Sequence, residues 1–125
     1  MSHARTLRGY LCDGRTRLVV SGYDALTART AAQAGVEVLH LTGYGAAAAI
    51  GGVPDSGLLS MTEMAGACAR MVEAAERPLI ADIDNGYGNA LNIRRTIRAF
   101  EQASAAGIHI EDQVHPMRCG HMSGK

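Results

Sequence analysis

The segment of residues 78–88 constrains the fold more strongly than any other stretch of the sequence. It opens with Pro78 and a short apolar run, which is typical of a strand buried on both faces of a parallel sheet. It then continues through Asp82 and Asp84 into a glycine-rich turn that ends at Gly88. Because side chains alternate between the two faces of a strand, we predict that both carboxylates point the same way, with Cα atoms roughly 6–7 Å apart.

Two like charges at one end of a buried strand are costly unless a positive group lies between them. A divalent cation meets this requirement, and Mg²⁺ prefers carboxylate oxygens while keeping several of its waters. The local pattern therefore favours a magnesium site at Asp82 and Asp84. The sequence leaves one alternative open, in which the two carboxylates cap the next helix or pair with arginines.

Apolar runs and helical patterns alternate along the rest of the chain. We predict strands at residues 18–20, 36–41 and 108–112, in addition to the strand that follows Pro78. We predict helices at residues 4–11, 25–34 and 89–106 and behind Ser60, whereas residues 42–53 are interpreted as a loop with one helical turn. Strands separated by helices pair in parallel through right-handed crossovers, so the sequence predicts an α/β fold with four parallel strands.

Side-chain patterns indicate where two of these helices begin and which faces they bury. Asp24 is predicted to cap the second helix, and Ser60 with Glu63 forms a capping box. The helix behind Ser60 carries one apolar stripe at spacings of three and four: Met64, Ala67, Cys68, Met71, Val72 and Ala75. The inner side of the last helix is predicted to consist of Ile93, Ile97 and Phe100.

Composition narrows the class of protein. The 125 residues are 47% hydrophobic, which is enough for a core, and 12 basic residues balance 12 acidic ones. This balance argues against a nucleic-acid partner or an anionic membrane surface. The three cysteines lack framework spacing, no apolar run reaches the roughly 20 residues of a membrane span, and no signal-peptide pattern opens the chain. We therefore expect a soluble cytoplasmic protein, and we further expect homo-oligomers.

Polar or glycine-rich residues follow every predicted strand. They occupy residues 21–24, 42–45, 82–88 and 111–112, and the opposite strand ends carry no comparable cluster. In parallel α/β folds, ligands bind outside the carboxyl ends of the strands. This one-sided distribution predicts a functional site at that edge of the sheet.

Five short motifs resemble those of the isocitrate lyase/phosphoenolpyruvate mutase superfamily, which includes methylisocitrate lyase-like and carboxyvinyl-carboxyphosphonate phosphorylmutase-like proteins. In chain order they are LTGYG at 41–45, VPD at 53–55, ADIDNGYG at 81–88, GIHIEDQ at 107–113 and RCGH at 118–121. The resemblance runs from about residue 4 to the last residue. It implies a (β/α)₈ barrel with its site at the carboxyl ends of the strands, of which residues 1–125 would form strands one to four as a partial domain.

The resemblance also implies a cofactor and residue roles. Members act on small 2-oxo or 2-hydroxy carboxylates with Mg²⁺, and Mn²⁺ could replace it. Asp82 and Asp84 would hold the metal directly or through water, and Asp55 and Glu111 would orient metal-bound waters. The substrate carboxylate would be held by hydroxyl and backbone donors of Thr42, Gly43 and Tyr44.

In the lyase branch, the Cys-Gly-His loop implies a catalytic cysteine. Cys119 would donate a proton to the enolate that remains after C–C cleavage, a step that needs a donor close to the carbon. Substrate contacts are expected from Arg118, Gly120 and His121. At position 117, where the superfamily commonly has Lys, this chain has Met117, which removes one cation from the expected site.

The chain is about half as long as a complete barrel of roughly 250 residues. Three explanations remain open: a truncated gene product, which we favour, a fragment of a longer polypeptide, or a chain that completes its barrel with a second copy. Three functions follow from these readings. The first is an Mg²⁺-dependent lyase for 2-methylisocitrate, dimethylmalate or a similar substrate. The second is a superfamily member that acts on phosphonopyruvate or oxaloacetate, and the third is a non-catalytic module that binds through open sheet edges.

Overall fold

A four-stranded parallel sheet organises the chain, in the spatial order β1-β2-β3-β4. The computed structural model describes residues 2–123. The elements are α1 His3–Cys12, β1 Val19–Gly22, α2 Ala25–Gln33, β2 Val38–Leu41, α3 Gly43–Ala46, a π-helical turn Ala47–Gly51, α4 Met61–Ala75, β3 Leu79–Asp82, α5 Ala90–Gln102 and β4 Gly107–His109. The predicted α/β class, the four strands and their parallel pairing are confirmed. The strand after Pro78 begins where it was predicted, whereas β1, β2 and β4 are displaced or shortened relative to their predicted bounds.

The hydrophobic core lies between one face of the sheet and helices α2, α4 and α5. Leu39, Leu41, Leu79 and Ala81 of the two central strands are fully buried there. The six residues of the predicted stripe on α4 are all buried, so that prediction is confirmed. Burial raises the pKa of the Cys68 thiol to about 12, which makes it an unreactive core side chain.

Both predicted helix caps are present. The Asp24 carboxylate accepts a hydrogen bond from the Thr27 N–H at 2.7 Å, and the Thr27 hydroxyl oxygen accepts one from the Asp24 N–H. Ser60 and Glu63 form the second capping box in the same reciprocal way. These contacts fix the start of the two helices that pack against each other behind the sheet.

Replacing Asp24 with alanine is expected to lower the free energy of unfolding by about 1 kcal/mol, because the Thr27 N–H loses its acceptor at the helix start. Urea unfolding followed by circular dichroism measures the change. Asp24→Asn is the matched control, since it keeps an oxygen at the same position. A loss as large for asparagine as for alanine would show that the cap is not the cause.

Two predictions about the helices were wrong. Residues 42–53 are mostly helical rather than loop, because the Thr42 hydroxyl oxygen accepts from the Gly45 N–H and starts α3. The segment ends at Gly52, which adopts the left-handed conformation with φ of 61°. The predicted helix 89–106 ends earlier, at Gln102, since Ser104 has a positive φ and leads the chain into β4.

The buried face of α5 is rotated from its prediction. Phe100 is fully buried as expected, but Ile97 is 37% exposed and Thr96 takes its place with 1% exposure. The Thr96 hydroxyl donates a hydrogen bond to the Gly86 carbonyl at 3.0 Å. Thr96 rather than Ile97 therefore faces the core, because its hydroxyl binds the turn that follows β3.

The two edges of the sheet are β1 and β4 within residues 2–123. At the β4 edge, Ile108 within the strand and Ile110 just after it are 36% and 48% exposed. Leu7 of α1 packs against the start of β4, where its side chain lies 3.2 Å from the position that a Cβ on Gly107 would take. Across the described residues, no helix is long and apolar enough to cross a membrane.

Candidate active site

The carboxyl ends of β2, β3 and β4 bring together the acidic residues predicted from the sequence. Asp82 is the last residue of β3, and Asp84 lies in the turn that follows it. Gly43 begins the short helix after β2, and Glu111 follows β4 by two residues. The Glu111 N–H donates to the Asp84 carbonyl at 2.7 Å, which joins the β3 and β4 ends directly.

The carboxylates of Asp82 and Asp84 converge on Gly43. One oxygen of Asp82 accepts from the Gly43 N–H at 3.3 Å, and the other accepts from the Asp84 N–H at 3.0 Å. A Cβ on Gly43 would lie 2.9 Å from Oδ2 of Asp82 and 3.4 Å from Oδ1 of Asp84. Only a glycine therefore leaves room for both carboxylates at this position.

A turn, rather than strand alternation, brings the two carboxylates together. The strand ends at Asp82, and Asp84 has a φ of 50°, which no regular strand residue adopts. The prediction that strand alternation directs both carboxylates to one side was therefore wrong, although both side chains do approach Gly43.

The alternative roles for Asp82 and Asp84 were to cap the next helix or to pair with arginines, and the structure shows neither within residues 2–123. Helix α5 is capped by Asn89, whose side chain accepts from the N–H groups of Leu91 and Asn92. Within residues 2–123, no ion pair joins an arginine to Asp82 or Asp84. Among these residues, neither helix capping nor an arginine partner explains why the two carboxylates lie together.

Asp84 is the electrostatic centre of this cluster. Its side chain is only 8% exposed, and its pKa is raised to about 7 by burial first and then by the charges of Asp82, Asp55 and Glu111. A cavity of about 10 Å³, lined among others by Asp55 and Asp84, lies beside Gly43. The other three acids predicted from the sequence thus all act on the buried carboxyl group of Asp84.

The donor set fits a hard divalent cation bound partly through water. Among residues 2–123, no group of three or more His, Cys, Asp or Glu side chains is arranged to hold a metal ion by itself. Mg²⁺ is commonly held by one or two carboxylates with its remaining positions filled by water or substrate, and it needs no complete protein cage. The convergence of Asp82 and Asp84, with two further acids nearby, matches that mode of binding.

The predicted substrate-binding residues after β2 differ in their environment. The Thr42 hydroxyl oxygen accepts from Gly45, which leaves its proton able to donate to a ligand. The Gly43 N–H is already directed at Asp82, and Tyr44 is 66% exposed. Their roles toward a substrate stay predictions.

The Cys-Gly-His segment forms a second group, which is connected to Glu111 through Gln113. The Cys119 sulfur lies 3.7 Å from Nδ1 of His121, and Cys119 is partly buried while Gly120 and His121 are exposed. The Gln113 side chain accepts from the Arg118 N–H and donates to its carbonyl, at 3.1 and 3.2 Å, and its amide also donates to Glu111. The segment is therefore tied to the strand end that carries Glu111.

Sequence reasoning missed the environment of two residues at the site, Tyr87 and Met117. The Tyr87 hydroxyl is buried without a hydrogen-bond partner among residues 2–123, and burial, with the charges of Asp84 and Asp82, raises its pKa. It therefore stays a protonated donor beside the acids, and its place inside the motif of residues 81–88 was the available signal. Met117 is only 4% exposed, and nothing in its local sequence indicated burial.

Comparison with known proteins gives a consistent result. The family model described as phosphoenolpyruvate phosphomutase matches residues 10–123. A curated relative, 2,3-dimethylmalate lyase of Eubacterium barkeri, is 44% identical over 125 residues, which are 100% of this chain and 43% of that protein.

Solved structures agree with the sequence relatives. A crystal structure of 2,3-dimethylmalate lyase superposes with a TM-score of 0.91 at 36% identity, covering 99% of this chain and 42% of the other. A phosphonopyruvate hydrolase in complex with oxalate and Mg²⁺ gives a TM-score of 0.88 at 33% identity, covering 94% and 41%. The chain thus spans about two fifths of the length of the proteins it matches.

Proposed function

Because the chain belongs to the phosphoenolpyruvate phosphomutase family, we propose that it is part of an Mg²⁺-dependent carbon–carbon lyase. Its substrate would be a small 2-hydroxy di- or tricarboxylate such as 2,3-dimethylmalate or 2-methylisocitrate. The observation that carries the proposal is the buried Asp84 carboxyl group in the field of Asp82, Asp55 and Glu111. A cation at this point would relieve the repulsion among four acids.

The acids would divide the work of binding the cation. Asp82 and Asp84 would hold it directly or through water, because their oxygens converge on one point at Gly43. Asp55 and Glu111 would orient the waters around it. When bound, Mg²⁺ would supply the positive charge that stabilises an enolate.

Residues after β2 would bind the substrate carboxylate. Thr42 keeps a free hydroxyl proton at the rim, and Tyr44 is exposed beside it. Their donors would orient the substrate over the acids, and the Gly43 N–H would join them only by giving up its hydrogen bond to Asp82. Hydrogen bonds of this kind hold the reacting bond in one geometry and raise the rate without taking part in bond breaking.

Cys119 would complete the reaction as a general acid. As the C–C bond breaks, the substrate 2-hydroxyl becomes a carbonyl and loses its proton, and the electron pair of the broken bond stays on the carbon next to a carboxylate. The thiol proton would move to that carbon, and the proton released from the hydroxyl would restore the thiol by the end of the cycle. His121 lies 3.7 Å from the sulfur and would orient it, while Arg118 and Gly120 would bind the substrate at the same loop. Met117 in place of a lysine removes one cation from the substrate's surroundings.

A second candidate function is that of a superfamily member whose substrate is phosphonopyruvate or oxaloacetate. The structural neighbour that is a phosphonopyruvate hydrolase favours it. The Cys-Gly-His segment at 119–121 argues against it, because the lyase branch is the one to which that motif points. A non-catalytic role through the exposed β4 edge is the third candidate, supported by the exposure of Ile108 and Ile110.

A chimera separates these candidates. This chain would replace the matching 43% of the Eubacterium barkeri enzyme, which supplies the rest of a barrel. We expect Mg²⁺-dependent pyruvate release from 2,3-dimethylmalate or 2-methylisocitrate, abolished by chelation. Turnover of phosphonopyruvate or oxaloacetate alone would favour the second candidate, and a folded chimera without any turnover would favour the third. The proposal has three further parts. In the complete protein, the four strands of this chain would join four more to close a barrel. The complete protein would also form homo-oligomers and be located in the cytoplasm.

Gly43→Ala is expected to weaken Mg²⁺ binding roughly tenfold, because its Cβ would displace the Asp82 carboxylate. Isothermal titration of the chain with Mg²⁺ measures the change. The matched control is Gly66→Ala on α4, where the added Cβ meets only the flexible end of Arg70 at 3.3 Å. Equal affinity in both variants would remove the argument that the acids bind metal at Gly43.

A further inference from the structure

Met117 is the only buried residue in the segment of residues 112–123. Its neighbours Pro116 and Arg118 are exposed, whereas Met117 itself is 4% exposed. Burial of a flexible apolar side chain between two exposed neighbours indicates a specific contact rather than general collapse. The partner in that contact identifies what the segment is fixed to.

The partner is Gly57, in the connection between the π-helical turn and α4. A Cβ on Gly57 would lie 2.8 Å from Cγ and 3.4 Å from Sδ of Met117. Gly57 also has a φ of 72°, a conformation that favours glycine, so both the backbone conformation and the close approach of Met117 require a residue without a side chain. Gly57 lines the same small cavity as Asp55 and Asp84.

Polar contacts fix the start of the segment that carries Met117. The Gln113 side chain binds the backbone of Arg118, and the Asn85 side chain donates to the Gln113 carbonyl at 3.5 Å. These bonds connect the segment to the β3 and β4 ends. The contact of Met117 with Gly57 connects it in addition to the chain around Asp55.

We propose that Met117 is a positioning residue, whose burial against Gly57 sets the place of Cys119, two residues along, relative to the acidic cluster. An apolar side chain serves here because the contact point lacks a side chain and lines the same cavity as the buried carboxyl group of Asp84. The role in catalysis rests on the proposed function, in which Cys119 is the proton donor. The contact itself, and its test, do not depend on turnover.

Alkylation of the native chain by iodoacetamide, resolved by mass spectrometry for each cysteine, tests the proposal. Exposed Cys12 and buried Cys68 give internal fast and slow references, and Cys119 is intermediate. In Met117→Gln, which has similar length but a polar end, Cys119 is expected to react about fivefold faster or more, toward the rate of Cys12. In Met117→Leu, which restores an apolar contact, the rate is expected to stay within about twofold of the original. Cys68 should remain protected in both variants.

A second pair of variants approaches the contact from the other side. Gly57→Ala is expected to accelerate Cys119 alkylation, because its Cβ would take the space of Met117. Gly52→Ala carries the same backbone penalty, with φ of 61°, but a Cβ there meets nothing within 4 Å, so Cys119 should be unaffected. The proposal is overturned if Cys119 reacts at the original rate in Met117→Gln and Gly57→Ala while Cys68 stays protected, or if Met117→Leu accelerates it as much as Met117→Gln. Failure of the lyase proposal would instead appear as an inactive chimera, while the Met117 and Gly57 variants still show the expected changes in the Cys119 alkylation rate.

Discussion

Cys119→Ser is expected to lower the rate of C–C cleavage by the chimera roughly 10²–10⁴-fold, the range that a positioned general acid contributes. A serine hydroxyl occupies nearly the same space but is a far weaker acid, so the carbanion is left without its proton donor. Neighbouring contacts change little, because the sulfur has His121 as its polar neighbour at 3.7 Å. The measurement is kcat for pyruvate release from 2,3-dimethylmalate.

The matched control is Cys12→Ser, at an exposed thiol at the end of α1. It should retain full turnover. The circular dichroism spectra of both variants should match the unsubstituted chimera, since neither thiol lies in the core. Unchanged turnover in Cys119→Ser would rule out the acid role and leave Cys119 as an ordinary loop thiol.

The repeating strand–helix pattern was predictable because it depends on local periodicity. The stripe on α4 and the caps at Asp24 and Ser60 use side-chain contacts within four residues, and all were found as predicted. The polar ends of the strands were predictable for a related reason. Parallel pairing brings every strand's carboxyl end to one edge, so Asp82, Glu111 and Thr42 meet there whatever the details of the turns.

The parts that sequence reasoning missed depend on contacts between distant segments. Thr96 replaces Ile97 in the core because it binds Gly86, ten residues away. Met117 is buried because Gly57, sixty positions earlier, leaves a space for it. Helix formation after β2 was missed for a different reason, since glycine and proline were taken as loop signals although Thr42 caps the segment. No local pattern contains that information.

The pH dependence of stability follows from the raised pKa of Asp84. In the folded chain, burial and the neighbouring acids hold the pKa of Asp84 at about 7, whereas the unfolded chain has the ordinary aspartate pKa of 3.8. Between these values the folded state binds the extra proton, so the free energy of unfolding falls as pH rises from about 4 to about 7. Above pH 7 the folded state bears the full cost of the buried charge.

Asp84→Asn removes that charge and is therefore expected to stabilise the metal-free chain at pH 8 by about 2 kcal/mol. This figure is below the full conversion of the pKa change, since solvent screens the neighbouring carboxylates. The gain should shrink toward zero at pH 4, where Asp84 is protonated in the folded state and the pH is close to its pKa of 3.8 in the unfolded state. Urea unfolding at pH 4, 6 and 8 with chelator measures it, and Asp112→Asn, at an exposed acid two residues beyond Ile110, should show no such trend.

Addition of Mg²⁺ turns the same variant into a test of the metal proposal. A ligand that binds only the folded state stabilises it according to its concentration and affinity, so about 10 mM Mg²⁺ should raise the stability of the unsubstituted chain at pH 8. Asp84→Asn loses one of the two converging carboxylates and should gain less, so the stability difference between the two proteins narrows or reverses. If Mg²⁺ stabilised both equally, the acids would not be the binding site, even with the pH trend as expected. If the pH trend itself were missing, Asp84 would not be the buried centre of the cluster, and the case for a cation there would lose its physical cause.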